Sequence, residues 1–164
     1  MTRTQLARLL RAKQGVRLDL GCGEGKQEGF LGIDKRKTAH VDIVHDLERF
    51  PWPLPDNCAS AVVISHFWEH LKPWLTFDFM AELHRVCQPA ANVFISAPYA
   101  MGFRYVQDPT HCNPSNEATW CYWDDQHVLW QVYKPKGVFR IVSYEVIPVG
   151  GDKDFNAILQ VVKP

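Results

Sequence analysis

The stretch Arg17-Leu-Asp-Leu-Gly-Cys-Gly-Glu-Gly25, followed nine residues later by Asp34 in Gly32-Ile-Asp34, constrains this chain more than any other. A short apolar run (Val16, Leu18, Leu20) breaks into a turn with glycines at 21, 23 and 25. A second apolar run (Phe30, Leu31, Ile33) ends in a carboxylate. Glycines at such a turn permit positive φ and close backbone approach, so amide groups can crowd around a ligand. An acidic side chain at the end of the next strand is placed to accept hydrogen bonds from a ribose diol. The pair describes a nucleoside-binding α/β domain.

The remaining segments extend that pattern. Leu6, Leu9 and Leu10 fall at helical spacing within residues 2–14, with Thr2 or Thr4 as a cap and Gly15 as a stop. Val41–Leu47 reads as a third apolar segment, and Ala59–Ser65 as a strand buried on both faces in a parallel sheet. Pro51, Pro53 and Pro55 exclude regular structure between them. Leu75, Phe79, Leu83 and Val86 predict an amphipathic helix that stops before Pro89, and 92–96 a further strand. Residues 98–123 are rich in Pro, Asn, Asp and aromatics and read as a long connection over the strand ends. Val138–Val149 and Phe155–Val162, joined by Gly150-Gly151-Asp152, predict a closing antiparallel pair. Strands alternating with helices specify a Rossmann-like, doubly wound, mostly parallel sheet, whose ligands bind beyond the carboxyl ends of its strands.

At 164 residues this is the size of one domain, spanning 1–164. Eighteen basic and eighteen acidic residues cancel, and no basic run exceeds Lys35-Arg36-Lys37, so nucleic acid is not indicated as a partner. Five scattered cysteines without CxxC spacing, no apolar leader and no membrane-length run suggest a reduced, cytoplasmic setting. Oligomeric state is not readable.

Several further motifs arrive in the order of one known family. The glycine-rich turn and Asp34 are followed by His45-Asp-Leu47, Pro53-Leu-Pro-Asp-Asn57 and Val62-Val-Ile-Ser-His-Phe-Trp-Glu-His-Leu71, then by Arg85-Val-Cys-Gln-Pro89 and Asp108-Pro-Thr-His111. In this the chain resembles the class I S-adenosylmethionine-dependent methyltransferases, over residues 15–125 and most nearly a compact type-11-like branch. The resemblance implies S-adenosylmethionine as cofactor, with S-adenosylhomocysteine as product. It implies cofactor contacts from Asp19, Gly21, Cys22 and Gly23 in the turn, and from Asp34 to the ribose with Lys35 beside the adenine. Asp46 and Leu47 would meet the adenine, and Ser65 and His66 would line the methionine pocket. The segment 98–123 would form the acceptor side for a small or sugar-like molecule, with His111 and Asp108 as the leading candidates for a base and His66 third. Two departures stand out. Only Cys22–Gly29 separates the first two strands, so the first crossover helix must be nearly deleted, and Ala90-Ala91 stands where the family has Gly-Gly. A cofactor-binding module without activity, or a subunit of a larger methyltransferase, is the rival reading.

Competing motifs are weaker. A dinucleotide fingerprint needs glycine where Lys26 stands, and a phosphate loop needs Ser or Thr after Gly-Lys where Gln27 stands. His66-Phe-Trp-Glu69-His70 spells the H-x-x-E-H zinc-peptidase run, but His66 ends a strand, so the two histidines do not share a helix face. Glu69 and His70 are expected to cap and charge a short helix near 69–73. His111, Cys112 and Cys121 lack paired spacing, and no metal is expected. Asp108 is equally a base or an Asx turn before Pro109. Cys58 and Cys87 are expected in the core, with two of Trp120, Tyr122 and Trp123.

Overall fold

The computed structural model describes residues 3–12 and 15–164. Its frame is a single mixed sheet of strands β1 (Val16–Leu20), β2 (Leu31–Asp34), β3 (Ile43–Val44), β4 (Ala59–Ser65), β5 (Cys87–Pro98), β6 (Val138–Val149) and β7 (Asp152–Val162). Their spatial order is β3-β2-β1-β4-β5-β7-β6. Neighbours from β3 to β5 pair in parallel, whereas β7 runs antiparallel to both β5 and β6. The order in which strands are added reverses at β1 and β4, which are parallel neighbours, and this leaves a crevice above their carboxyl ends where a ligand can sit.

Helix α1 spans Arg3–Leu10, shorter than the predicted 2–14, with Thr4 inside it; Thr2 lies outside the described residues. The amphipathic helix is α2 (Thr76–Val86), whose Phe79, Met80, Leu83 and Val86 are fully buried. Between β1 and β2 the predicted remnant helix is absent, and the chain crosses by turns alone. Asp19 closes this crossover by accepting a 2.7 Å hydrogen bond from Gln27 N–H, and the Arg17 guanidinium lies 5.0 Å from the centre of the Phe30 ring. Ala90 takes the left-handed conformation (φ 61°), the geometry glycine would adopt more easily in the turn that departs from the family pattern.

With so few crossover helices, the sheet is packed unevenly. Val62 and Ile64 of β4, Val93 and Ile95 of β5, and Phe155, Ala157, Leu159 and Val161 of β7 face one buried core. Alternate residues such as Val63 and Ile158 are only half-buried, and Phe94 and Tyr144 are exposed. Period-2 alternation therefore replaces the burial on both faces expected of β4.

The connection from β5 to β6 is more ordered than the sequence suggests. It contains helix α3 (Phe103–Val106), a 3-10 turn at Thr119–Tyr122 and helix α4 (Val128–Tyr133). Trp120 and Trp123 are buried, as expected, with ring centres 4.7 Å and 6.3 Å from that of Trp68; Trp120 also stacks on Phe155. This indole cluster fastens the connection across the end of the sheet. Cys58 and Cys87 are buried core residues.

Candidate functional site

Four strand ends converge on one cavity of about 430 Å3. Gly21 follows β1, Asp34 ends β2 with Lys35 and Arg36 beyond it, and Asp46, Leu47 and Glu48 follow β3. His66 and Phe67 follow β4, and His70, Lys72 and Thr110 complete the lining. A separate groove of about 360 Å3 lies along β4, β5, β6 and β7 on the half-covered face and meets the carboxyl end of β4 at Ser65. The topology favours the first as the ligand site.

Glycine at position 21 is enforced by packing. Its φ is +74°, and a Cβ there would sit 2.4 Å from the Phe67 ring. Phe67 in turn stacks on buried Phe79, so it cannot withdraw.

Asp34 is buried and organises the cavity floor. One oxygen accepts from Gly23 N–H at 3.0 Å; the other accepts from Arg36 N–H at 2.8 Å and from its Nε at 3.3 Å. Burial pushes the carboxyl up, but the hydrogen bonds from Arg36 and Gly23 outweigh it and hold Asp34 below its usual value. A carboxylate has about four lone-pair sites. Three are in use, which leaves capacity for a ligand hydroxyl. Asp46 accepts from Glu48 N–H, and the Leu47 carbonyl is anchored by the indole N–H of buried Trp52 at 3.0 Å. Glu48 and Lys72 form an ion pair across the cavity rim.

His66 occupies a strained position, with φ +50° directly after β4, of the kind found at working sites. Its Nδ1 lies 3.3 Å from Glu69 Oε1, and its Nε2 lies 3.7 Å from Asp154 Oδ2, which also pairs with Arg104. The hydrogen bond with Glu69 raises the imidazole pKa above its ordinary value, against a smaller opposing effect of burial.

Six residues named from sequence thus meet in the cavity: Gly21, Asp34, Lys35, Asp46, Leu47 and His66. The others are placed elsewhere. Asp19 is buried under the crossover, where burial raises its carboxyl. Cys22 is buried, and its thiol is pushed up to about 11 by burial and by Asp19 and Asp34, so it is no nucleophile. Gly23 acts through its N–H on Asp34, and Ser65 lines the groove on the half-covered face.

Asp108 and His111 do not line the cavity. Asp108 forms the Asx turn, accepting from the N–H and hydroxyl of Thr110, and these bonds lower its carboxyl. His111 Nδ1 donates to the Tyr105 carbonyl at 2.9 Å, and its side chain is only 8% exposed. Glu69 and His70 charge the first and last turn of a short 3-10 helix, as expected, but neither side chain makes a capping hydrogen bond. They belong to the 3-10 turn Trp68–His70, where Glu69 is 1% exposed and His70 Nδ1 contacts Thr110 Oγ1 at 3.0 Å. Arg36, Glu48, Phe67, His70, Lys72 and Thr110 were not named from sequence as cavity residues, His70 having been weighed only in the zinc run and the short helix. Proximity along the chain was the one local signal: Arg36 stands two residues after Asp34, Glu48 follows Leu47 and Phe67 follows His66.

No protein-family model matches the chain, and no curated protein matches it. Solved structures do. A SAM-dependent methyltransferase from Archaeoglobus fulgidus superposes with a TM-score of 0.66 at 21% identity, covering 96% of this chain and 91% of that one. The 16S rRNA (adenine(1408)-N(1))-methyltransferase from Catenulisporales acidiphilia, a W203A mutant, gives 0.66 at 15% identity over 100% and 93%. The 1,6-didemethyltoxoflavin-N1-methyltransferase from Burkholderia thailandensis, solved with bound 1,6-didemethyltoxoflavin and S-adenosylhomocysteine, gives 0.65 at 13% identity over 98% and 78%. This chain has the class I methyltransferase fold.

Proposed function

We propose that the chain binds S-adenosylmethionine in the strand-end cavity and transfers its methyl group to a small-molecule acceptor. The observation that carries this reading is the convergence of Gly21, Asp34, Asp46, Leu47 and His66 from four separate strand ends onto one cavity. The lining balances Asp34, Asp46 and Glu48 against Lys35, Arg36 and Lys72, and Asp34 retains a lone pair for a ribose hydroxyl. Bound S-adenosylmethionine supplies an already activated methyl group on a sulfonium.

The protein's part is then alignment and exclusion of water. Asp34 would hold the ribose, with Asp46 and Leu47 at the adenine. His66, with Glu69 behind its Nδ1, is the cavity residue placed to take a proton from an acceptor that carries one. His111 and Asp108, favoured from sequence, support the wall instead through Tyr105 and Thr110. The segment 98–123 would form the acceptor side, with Thr110 its residue on the cavity lining. The half-covered sheet face, with Phe94, Val142 and Tyr144 exposed, favours a second reading as the cofactor-binding subunit of a larger methyltransferase.

Two measurements test these readings. S-adenosylmethionine or S-adenosylhomocysteine at a hundred times its Kd should stabilise the fold by roughly 2.7 kcal/mol, while NAD and ATP should not. No melting shift with either ligand would end both readings. Release of S-adenosylhomocysteine across a broad acceptor panel separates the enzyme from the module.

A further inference from the structure

The acceptor wall brings together three side chains that the primary structure keeps apart. One donor atom from each of Glu69, His70 and His111 lies within 4.8 Å of the other two. Glu69 and His70 come from the turn after β4, and His111 from the connection after β5. Backbone bonds from Cys112 and Asn113 N–H to the Glu69 carbonyl, at 2.8 and 3.1 Å, hold the two segments together.

Hydrogen bonds to one nitrogen of each ring orient the two imidazoles of this cluster as ligating histidines are oriented. His111 Nδ1 faces a carbonyl, which can only accept, so the N–H is at Nδ1. The Thr110 hydroxyl donates to Asp108 Oδ1 at 2.7 Å and therefore accepts from His70 Nδ1. Both rings thus direct Nδ1–H to an oxygen, which makes Nε2 the nitrogen of each that can ligate; His111 Nε2 also lies 3.7 Å from Asp108 Oδ2. Each ring's other nitrogen is oriented by an oxygen, the second-sphere arrangement that metal-ligating histidines use. Glu69 adds an independent observation. Its Oε1 faces His66, but its Oε2 is buried and has no hydrogen-bond partner among the described residues. A buried carboxylate oxygen in that condition is costly unless a cation meets it.

We propose that Glu69, His70 and His111 bind a divalent transition-metal ion of the zinc type. Two imidazoles and one carboxylate suit zinc, cobalt or ferrous iron, whereas magnesium prefers a shell of oxygens and water. Three protein ligands leave coordination open to a small molecule. Since His70 also lines the cavity, an oxygen- or nitrogen-bearing acceptor is the class of ligand that would complete the shell. The trio differs from the H-x-x-E-H run, because His66 is engaged with Glu69 Oε1 and Asp154. It departs from the expectation of no metal, which rested on the lack of paired spacing in the sequence. Binding of the ion is read without cofactor or acceptor, so it stands or falls separately from methyl transfer.

The test uses the full chain, stripped with a chelator and titrated with zinc chloride by calorimetry and with cobalt chloride by absorption. Saturable binding of one ion per chain is expected, with a raised melting temperature. Cobalt should give visible ligand-field bands and no near-ultraviolet thiolate band. Thr110→Val, which removes only the second-sphere hydroxyl, should weaken binding about 10- to 100-fold. Glu69→Gln, His70→Ala and His111→Ala should weaken it at least as much, and His40→Ala should not. Absence of saturable zinc binding by the wild-type chain overturns the proposal. So does undiminished binding in Glu69→Gln and His111→Ala, or a thiolate band that vanishes in Cys112→Ser. If a ligand variant fails to fold, wild-type stoichiometry and the cobalt spectrum decide.

Discussion

Replacing Asp34 with alanine isolates the carboxylate on which the nucleoside reading depends. In the folded chain this group already receives three hydrogen bonds, from Gly23 N–H and from Arg36 N–H and Nε, and one lone-pair site remains. The variant therefore has two separable costs. The first is structural: two backbone N–H groups lose a charged partner, at about 1–3 kcal/mol if water does not replace it. For a chain of this size each kcal/mol moves Tm by roughly 2–4 °C, so the unliganded protein should melt about 2–12 °C lower. The second concerns binding. A hydrogen bond to a charged acceptor is worth about 1.5–3 kcal/mol, which corresponds to a Kd for S-adenosylhomocysteine raised about 10- to 150-fold. Calorimetric titration at 15 °C, well below either melting point, reads the second cost without the first. If Asp34→Ala melts earlier yet binds S-adenosylhomocysteine within about twofold of wild type, the carboxylate only braces the turn. The ribose assignment would then be wrong.

Three other outcomes are expected. Gly21→Ala forces a Cβ to within 2.4 Å of the Phe67 ring at φ +74°. The backbone strain and overpacking should together cost about 2–5 kcal/mol by chemical denaturation, and a loss below about 0.5 kcal/mol would show that the Phe67 ring yields freely. His66→Gln should lower turnover on a proton-bearing acceptor about 10²- to 10⁴-fold with little change in S-adenosylhomocysteine affinity; unchanged turnover would remove His66 from the chemistry. Glu82 is held below its usual 4.5 first by its hydrogen bond from Arg85, so its contribution is present above that value and lost as pH falls through the lower folded pKa. Glu82→Gln should therefore be less stable than wild type at pH 7, with the gap closing below about pH 4.5; a gap independent of pH in urea titrations would contradict the assignment.

Sequence alone determined the parts of this protein that depend on neighbours along the chain. The turn around Gly21, the carboxylate closing β2, the β3 end at Asp46 and the helix ending before Pro89 are local patterns of glycine, alternation and helical spacing. Each specifies its own backbone, and their order implies the crevice. Tertiary packing decided the rest. Asp19 and Ser65 sit one or two residues from cavity groups, yet the crossover claims one and strand alternation turns the other to the opposite face. His111 reads as a free base in the sequence, but the indoles of Trp68, Trp120 and Trp123 fasten its segment so that it faces inward beside Glu69 and His70. Contacts between residues tens of positions apart leave no periodicity in the chain, because nothing in local spacing records which surfaces the hydrophobic core will press together.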